Sequence, residues 1–376
     1  MSDGTAAGEL EGLARVRARP AMFVGSLGER GLYRVLAGLI DNSVEEAVLG
    51  HANTIRVTLL PDGGFGVTDD GPGLPAWTDR GHSQLTRILT RLDTNARSGP
   101  PVASGSYALP LAVLNAVCEH VEVESKWDGY TWTQRFSRGI PEGPVVEGAR
   151  VKDTGTTIRA VPDADIFETS LPPLHRVRNR LQTLAYLVPA LRLELDEGRG
   201  GASRVFVSTD GVGELVQQLN LGRDVVHHPI SISSRSDALH LDVGIQYRDS
   251  VEAEVLSFAN HQYTPEGGSH ENAFRRGLSQ ALAAAFRADG RMGKCRLRSA
   301  RVWEGCCAVV SLRVPNPGFE GSRHQALYQP GLENWIAAEI REGLKRHARR
   351  DRDSWASLAE RVWSRVRYLS SLQQAN

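Results

Sequence analysis

Two acidic runs decide the fold of this chain: Leu-Ile-Asp-Asn-Ser-Val-Glu-Glu-Ala at residues 39–47 and Val-Thr-Asp-Asp-Gly-Pro-Gly-Leu-Pro at residues 67–75. Through the first run, apolar residues recur at steps of three and four, at Leu32, Leu36, Leu39, Ile40 and Val44. This spacing predicts a helix with one buried face. Because residues three and four apart are neighbours on a helix, Asn42, Glu45 and Glu46 share its other side.

The second run closes a predicted β-hairpin. Residues 55–59 alternate apolar and polar side chains, a Pro-Asp-Gly-Gly turn follows at residues 61–64, and residues 65–67 resume the extended pattern. At the strand end, the Asp69 carboxylate can accept a hydrogen bond from an exocyclic amine, and Gly71 and Gly73 let the chain pass close to a flat ring. An Asn and carboxylates on the neighbouring helix suit Mg²⁺, which prefers oxygen ligands and often accompanies phosphates.

Three motifs in order resemble one protein family. They are Arg-Pro-Ala-Met-Phe-Val-Gly at residues 19–25, Asp41-Asn42, and Asp-Asp-Gly-Pro-Gly-Leu-Pro at residues 69–75. Together they resemble the ATPase region of the DNA gyrase B subunit and its topoisomerase IV relatives, within the wider GHKL ATP-binding group. The resemblance implies an α/β (α+β) two-layer sandwich of the GHKL (Bergerat) type over residues 1–221.

A second domain follows in the same comparison. Gly-Gly-Ser-His at residues 267–270 and the run Val-Ser-Leu-Arg-Val-Pro-Asn-Pro at residues 310–317 resemble the gyrase B transducer. The resemblance therefore implies an α/β domain of the ribosomal-protein-S5-like transducer type over residues 222–376, with a helical, Arg-rich C-terminal tail. Ser269 has the residue type of an N-cap for the helix that follows, which carries Phe274, Leu278, Leu282 and Phe286 on one stripe.

The resemblance also implies a nucleotide site. Its cofactors would be ATP or ADP with Mg²⁺, Asn42 would bind the metal, and Glu46 would serve metal and hydrogen-bond roles. Base-binding positions would be Asp69, Gly71, Gly73, Leu74 and Thr156. For Thr156, a plain turn entering a strand is an equally good interpretation of the residues alone.

Three positions that act on the γ-phosphate in the family have changed. The general-base Glu is replaced by Gly38; glycine inside a helix costs about 1 kcal/mol relative to alanine, so folding is not expected to explain it. The phosphate-lid sequence Gly-Leu-His-Gly-Val-Gly is replaced by Gly-Ser-Tyr-Ala-Leu-Pro at residues 105–110. The transducer Lys is missing, with Arg323 and His324 nearest to it and a solvated loop the favoured interpretation.

Composition narrows the class of protein. The 376 residues carry 44 basic and 44 acidic side chains, so net charge gives no general attraction to nucleic acid or membranes. No apolar run has the length of a membrane span, and a cytoplasmic location is expected. The four Cys residues have no metal-like spacing and are expected to be reduced, buried thiols, with Cys306 and Cys307 facing opposite ways on one strand.

Three hypotheses follow, in order of preference. The first is a stand-alone paralogue that binds adenine nucleotide, hydrolyses it poorly and has a regulatory or scaffolding role, as a homodimer or as a heterodimer with a gyrase-like subunit. It would not cleave DNA alone, and a DNA contact is left open. The second is the active ATPase subunit of a split type II DNA topoisomerase, in which Glu45, Glu46 or a water network replaces the base. The third is an interaction module that binds no nucleotide.

Overall fold

The computed structural model describes residues 12–79, 82–92, 109–198, 201, 203–236, 239–292, 302–320 and 325–374. The chain divides into two compact units, and the main division falls between Thr209 and Asp210. The sequence-based boundary was placed after residue 221. The difference concerns the helix Val212–Leu219, which packs on the sheet of the second unit.

The first unit contains six described helices and eleven strands. The helices are α1 (residues 12–18), α2 (Ala21–Val24), α3 (Glu29–Val48), α4 (Gln84–Thr90), α5 (Leu111–Val117) and α6 (Leu174–Leu187). The strands are β1 (Thr54–Leu59), β2 (Phe65–Asp69), β3 (Thr78–Asp79), β4 (His82–Ser83), β5 (Cys118–Trp127), β6 (Tyr130–Ser137), β7 (Ile140–Pro141), β8 (Val146–Arg150), β9 (Gly155–Pro162), β10 (Arg192–Asp196) and β11 (Arg204–Phe206).

Nine of these strands form one sheet, in the order β11-β10-β1-β2-β9-β5-β6-β7, with β8 also paired to β6. The β1–β10 pair is parallel, and the remaining pairs are antiparallel. The helices α3, α5 and α6 pack on this sheet. The opposite face is polar, with ion pairs such as Arg56–Glu194 and Arg135–Glu122, so the sheet has one apolar and one solvated face.

The helix predicted from the first acidic run is α3, and its apolar face is confirmed. The five side chains of the predicted stripe are all buried: Leu32, Leu36, Leu39, Ile40 and Val44. The predicted hairpin is β1–β2, paired from Ile55↔Asp69 to Leu59↔Phe65. Asp69 is therefore the last residue of a central strand, directly beneath the helix that carries Asn42.

Its described residues show the second unit as a five-stranded sheet with four helices. The strands are β12 (Ile230–Ser236), β13 (Leu239–Tyr247), β14 (Glu254–Ala259), β15 (Gln262–Tyr263) and β16 (Cys306–Arg313), in the order β12-β13-β16-β14-β15. A small separate pair is formed by β17 (Phe319–Glu320) and β18 (Ala326–Leu327). The helices are α7 (Val212–Leu219), α8 (Ser269–Ala288), α9 (Glu333–Arg350) and α10 (Arg352–Gln374).

The core of the second unit follows the predicted helical stripes. Phe274, Leu278, Leu282 and Phe286 of α8 are fully buried, as are Ile340 and Leu344 of α9. The C-terminal tail is helical as predicted, but it is two helices with a break at Asp351. The α10 helix packs on α8, where the Phe286 and Trp363 rings lie 5.1 Å apart.

The predicted N-cap at Ser269 is wrong. Gly268 caps α8, with φ of 124°, and a side chain there would collide with the backbone of Leu327. The Ser269 hydroxyl instead donates to the Leu327 carbonyl at 3.2 Å and accepts from the Gln329 N–H at 3.0 Å. The residue type of Ser269 suggested a cap, but its hydroxyl contacts the backbone around the end of β18. Nothing in the sequence indicated this contact, because the two segments are far apart along the chain.

Buried titratable groups complete the second unit. Cys306 and Cys307 are buried free thiols, as is Cys118 in the first unit, and burial raises the pKa of Cys307 to about 11. Cys295 lies outside the described residues. Burial also lowers the pKa of His227 and of His270 to about 4.

Among the described helices, we find none with both the length and the apolar character that a bilayer span requires.

Candidate functional site

The candidate site begins where α3 meets the end of β2. The Ser43 hydroxyl of α3 donates to Asp69 Oδ2 at 2.7 Å, and the Gly71 N–H donates to Asp69 Oδ1 at 3.0 Å. Asp69 is only 6% exposed. Burial raises the pKa of Asp69 above its ordinary value, against the hydrogen bonds from Ser43, Gly71 and the Thr156 backbone, and the charge of Glu46 adds to the rise.

Thr156 lies directly beside Asp69 in the sheet. The two residues are paired across β2 and β9, and Thr156 is paired in turn with Ser125 of β5. Cross-strand partners share a face, so all three side chains point toward the helix layer. Gly155 has φ of 151° and lies against the Asp69 carbonyl, where a side chain would collide. The structure thus brings Asp69 and Thr156 together. From the sequence, they were linked only by the order of the two motifs that contain them.

The glycines at 71 and 73 are required by close packing. Gly73 has φ of 79°, and a Cβ there would collide with the Lys126 carbonyl. A Cβ at Gly71 would lie 2.9 Å from Asp69 Oδ1 and 3.4 Å from the Glu46 Cβ. The Leu74 carbonyl accepts from the Ser125 hydroxyl at 2.7 Å. Residues 71–74 are therefore held between α3 and β5, where they form one wall of the site.

Two neighbouring carboxylates have structural roles. Asp70 Oδ1 accepts the N–H groups of Asn53 and Thr54 at 2.7 and 2.9 Å, which fixes the start of β1. Asp41 is buried and paired with Arg180 of α6 at 2.5 Å. Both lie next to a predicted site residue in the sequence, but Asp41 is buried in its ion pair and Asp70 is directed to the start of β1.

Asn42 and Glu46 lie on α3 above Asp69. Asn42 is half-buried, and Glu46 Oε2 lies 3.3 Å from His51 Nδ1. Within the described residues, no group of three or more His, Cys, Asp or Glu side chains could hold a metal ion. This donor set fits Mg²⁺ only in the manner of a nucleotide site, where phosphate and water supply most of the oxygen ligands and Asn42 supplies one.

Gly38 is explained by packing, contrary to the expectation from helix propensity. A Cβ at position 38 would lie 2.6 Å from the Leu109 Cβ, 3.1 Å from its backbone N and 3.3 Å from its Cα. Leu109 belongs to the segment that leads into α5. The position predicted to carry the general base is therefore filled from outside the helix by Leu109.

The segment that supplies Leu109 is firmly anchored. All seven residues of α5 are buried. The Asn115 amide donates to the carbonyls of Leu89 and Gly139 at 2.8 and 3.3 Å. At the C-terminal end of α5, Arg17 donates to the Ala116 carbonyl at 2.8 Å and to Asp163 at 2.6 Å.

Comparisons with known proteins agree with this geometry. The family model for DNA gyrase B matches residues 211–375. The gyrase B subunit of Archaeoglobus fulgidus is 34% identical over 351 residues, covering 90% of this chain and 54% of the relative. That of Streptomyces coelicolor is 32% identical over 372 residues, covering 91% and 54%. The 43K ATPase domain of Thermus thermophilus gyrase B, solved with an aminocoumarin, superposes with a TM-score of 0.86 at 28% identity and covers 97% of each chain.

This chain is similar in sequence to gyrase B subunits and in fold to the ATPase domain of gyrase B. It spans about half the length of the curated gyrase B relatives it matches. The GHKL-type fold predicted from the motifs is confirmed by the structural match. The family model begins at residue 211, close to the division between the two units.

Two predicted features lie outside the described residues. They are the lid residues 105–108 and the pair Arg323 and His324 at the position of the transducer Lys. Three residues of the site were missed from the sequence, namely Ser43, Ser125 and Arg180. Ser43 had a local signal, since it lies on the predicted helix beside Asn42. The other two are brought in by strand register and tertiary packing, for which one sequence carries no signal. Leu109 was identified from the sequence as a side chain of the altered lid segment, but its contact with Gly38 comes from the structure.

Proposed function

We propose that this gyrase B-like chain binds an adenine nucleotide at Asp69 and does not hydrolyse ATP efficiently. Its role would be regulatory or scaffolding, in the cytoplasm, as a homodimer or as a heterodimer with a gyrase-like subunit. DNA cleavage is not part of the proposal. Hydrolysis and binding depend on different residues.

Nucleotide binding is supported by the residues expected to bind the adenine base, which are all present. A carboxylate has about four lone-pair sites, and the hydrogen bonds from Ser43, Gly71 and the Thr156 backbone occupy three of them on Asp69. The Asp69 carboxylate therefore keeps acceptor capacity for an exocyclic amine such as that of adenine. Thr156 lies beside it, and Asn42 lies above it on α3. ATP or ADP with Mg²⁺ is the cofactor class that this arrangement suits.

Impaired hydrolysis is supported by one observation, the Leu109 side chain against Gly38. Water attack on a phosphoryl group needs a residue that orients the water and accepts its proton. No carboxylate is present at position 38, and the nearby acids are paired or buried. Asp41 is paired with Arg180, Glu45 is 1% exposed, and Glu46 is beside His51.

A second candidate function is the ATPase subunit of a split type II topoisomerase. The observation that favours it is the likeness to gyrase B through both units, at a TM-score of 0.86 over 97% of the chain. This candidate requires a base supplied by a residue other than 38. Nucleotide turnover stimulated by DNA in the presence of a cleavage subunit would favour it.

The direct test of binding is calorimetric titration of the purified chain with ADP and Mg²⁺, beside Asp69→Asn and Asp70→Asn. Asp70→Asn is the matched control, because an amide oxygen can still accept the Asn53 and Thr54 N–H groups. We expect binding in the wild type and in Asp70→Asn and its loss in Asp69→Asn. Equal binding in all three proteins, or no binding in any, would refute a nucleotide site at Asp69.

A further inference from the structure

We propose that Leu109 makes this site selective for ADP and shorter adenine nucleotides over ATP. The inference rests on the proposed function, since it concerns the same pocket. It goes further, because loss of a catalytic base alone would leave ATP binding unchanged.

The direction of a bound nucleotide follows from α3. Ser43 of this helix contacts Asp69, so the adenine base would lie beside Ser43 along the axis of α3. Gly38 is five residues nearer the N-terminus, or about 7.5 Å along the axis at ~1.5 Å per residue. Asn42 and Gly38 are one turn apart on the same face. A nucleotide with its base at Asp69 and its phosphates past Asn42 therefore brings its terminal phosphate to the level of Gly38.

Leu109 presents an apolar side chain at that level. Its backbone N and Cα lie within 3.3 Å of the place of a Cβ on Gly38, so main chain as well as side chain fills the space. Pro110, the next residue, has no N–H to donate to a phosphate. Placing a phosphate charge against such a surface removes water without supplying hydrogen bonds, which is unfavourable.

The position of Leu109 is fixed by the structure behind it. Only Pro110 separates it from α5, and the Pro110 carbonyl accepts from the Val113 N–H at 2.8 Å. The α5 helix is held by Asn115 and by the link from Arg17 to the Ala116 carbonyl. A nucleotide that displaced Leu109 would have to disturb this helix. A diphosphate ends before Leu109 and avoids that cost.

The experiment compares dissociation constants for ADP and for a non-hydrolysable ATP analogue, both with Mg²⁺, by calorimetry. The proteins are the wild type, Leu109→Ala, Leu109→Gly and the control Leu171→Ala, whose side chain is 42% exposed elsewhere in the first unit. We expect the wild type to bind ADP about tenfold more tightly than the analogue, a difference of ~1.4 kcal/mol. Both Leu109 variants should bring the ratio close to one by strengthening analogue binding, with ADP binding little changed, and Leu171→Ala should match the wild type.

Tighter binding of the analogue than of ADP in the wild type would overturn the selectivity, as would a ratio that Leu109→Ala and Leu109→Gly leave unchanged. In either case Asp69-dependent ADP binding would still support the proposed function. Absence of binding by both ligands in the wild type would refute the proposed function and the selectivity together. Thermal melting of each variant identifies one that has failed to fold, and Leu109→Ala and Leu109→Gly provide independent comparisons.

Discussion

Gly38 and Leu109 are complementary, because the missing side chain of one makes room for the other. The Leu109 Cβ is 2.6 Å from where a Cβ on Gly38 would be. The chain departs from the gyrase B pattern at the general-base position, Gly38, and in the phosphate-lid segment, which contains Leu109. These two departures are linked, because the two residues pack against each other. This explains why a glycine fits inside a long helix, where it is intrinsically unfavourable.

The first prediction concerns the effect of a side chain at position 38 on stability, which helix propensity favours and packing opposes. Gly38→Ala should destabilise the first unit by about 1–3 kcal/mol, as overpacking does, although propensity alone favours alanine by about 1 kcal/mol. In a Leu109→Gly background the same change should cost less, because the contact with the Leu109 Cβ is removed while the backbone N and Cα of residue 109 remain at 3.1 and 3.3 Å. Chemical denaturation of the four proteins of this double-mutant cycle measures the coupling. Additive effects would show that the two residues do not compete for space.

The second prediction concerns the pH dependence of nucleotide binding. Burial raises the pKa of Asp69, so its carboxylate becomes protonated at a higher pH than an ordinary aspartate would. A neutral carboxyl is a poorer acceptor for an exocyclic amine, so ADP affinity should fall as pH decreases from about 7.5 toward the raised pKa. Calorimetry across this range measures the effect. The slope should be missing in any Asp69→Asn binding that remains; an equal slope there would assign the titration to another group.

The third prediction concerns the stability of the second unit in acid. His270 has a pKa lowered to about 4 by burial, and so does His227, whose Nδ1 donates to the His228 carbonyl while Nε2 accepts from the Tyr247 N–H. Between about pH 6.5 and about pH 4, the unfolded chain binds a proton at each site that the folded chain does not, so stability falls as pH falls. The upper limit is about 3 kcal/mol for each histidine.

Thermal melting against pH, in the wild type and in His227→Gln and His270→Gln, measures this loss. Each substitution should flatten the decline between about pH 6.5 and about pH 4, because glutamine does not titrate. The raised pKa of Asp69 opposes the decline in the first unit, so each variant is compared with the wild type at the same pH, which cancels the contribution of Asp69. An unaltered slope in both variants would contradict the assignment to these histidines.

The fourth prediction concerns the anchor of α5. The Asp163 side chain is fully buried and paired with Arg17 at 2.6 Å and with the more exposed Arg138 at 3.3 Å. Arg17→Ala should destabilise the first unit by about 1–3 kcal/mol, since it leaves a buried carboxylate with less compensation and removes the bond to Ala116. Arg138→Ala is the matched control and should have the smaller effect. Equal losses in denaturation experiments would show that the contact of Arg17 with α5 adds nothing.

Local patterns were sufficient for much of the fold. The spacing of Leu32 to Val44 predicted the buried face of α3, and the turn at residues 61–64 predicted the β1–β2 hairpin. These features depend on neighbours in sequence, where side-chain periodicity and turn chemistry act directly. The pairing of Thr156 with Asp69 was anticipated only through motif order.

The remaining features depend on contacts between distant segments. Nothing in the sequence around Gly38 indicates Leu109, and nothing near Asp41 indicates Arg180. Asp70 resembles Asp69 in sequence, yet one fixes β1 and the other lies in the site, because successive residues of an extended chain point to opposite faces. Such roles are set by sheet register and helix packing, so they require the structure.

The most direct test of the account is phosphate release from saturating ATP and Mg²⁺ by the wild type, with Asp69→Asn measured under the same conditions. Release by the wild type should not exceed that of Asp69→Asn, while calorimetry on the same preparation shows Asp69-dependent binding of ADP. Phosphate release well above that of Asp69→Asn would contradict the account, because this pocket would then turn over ATP without a base at position 38.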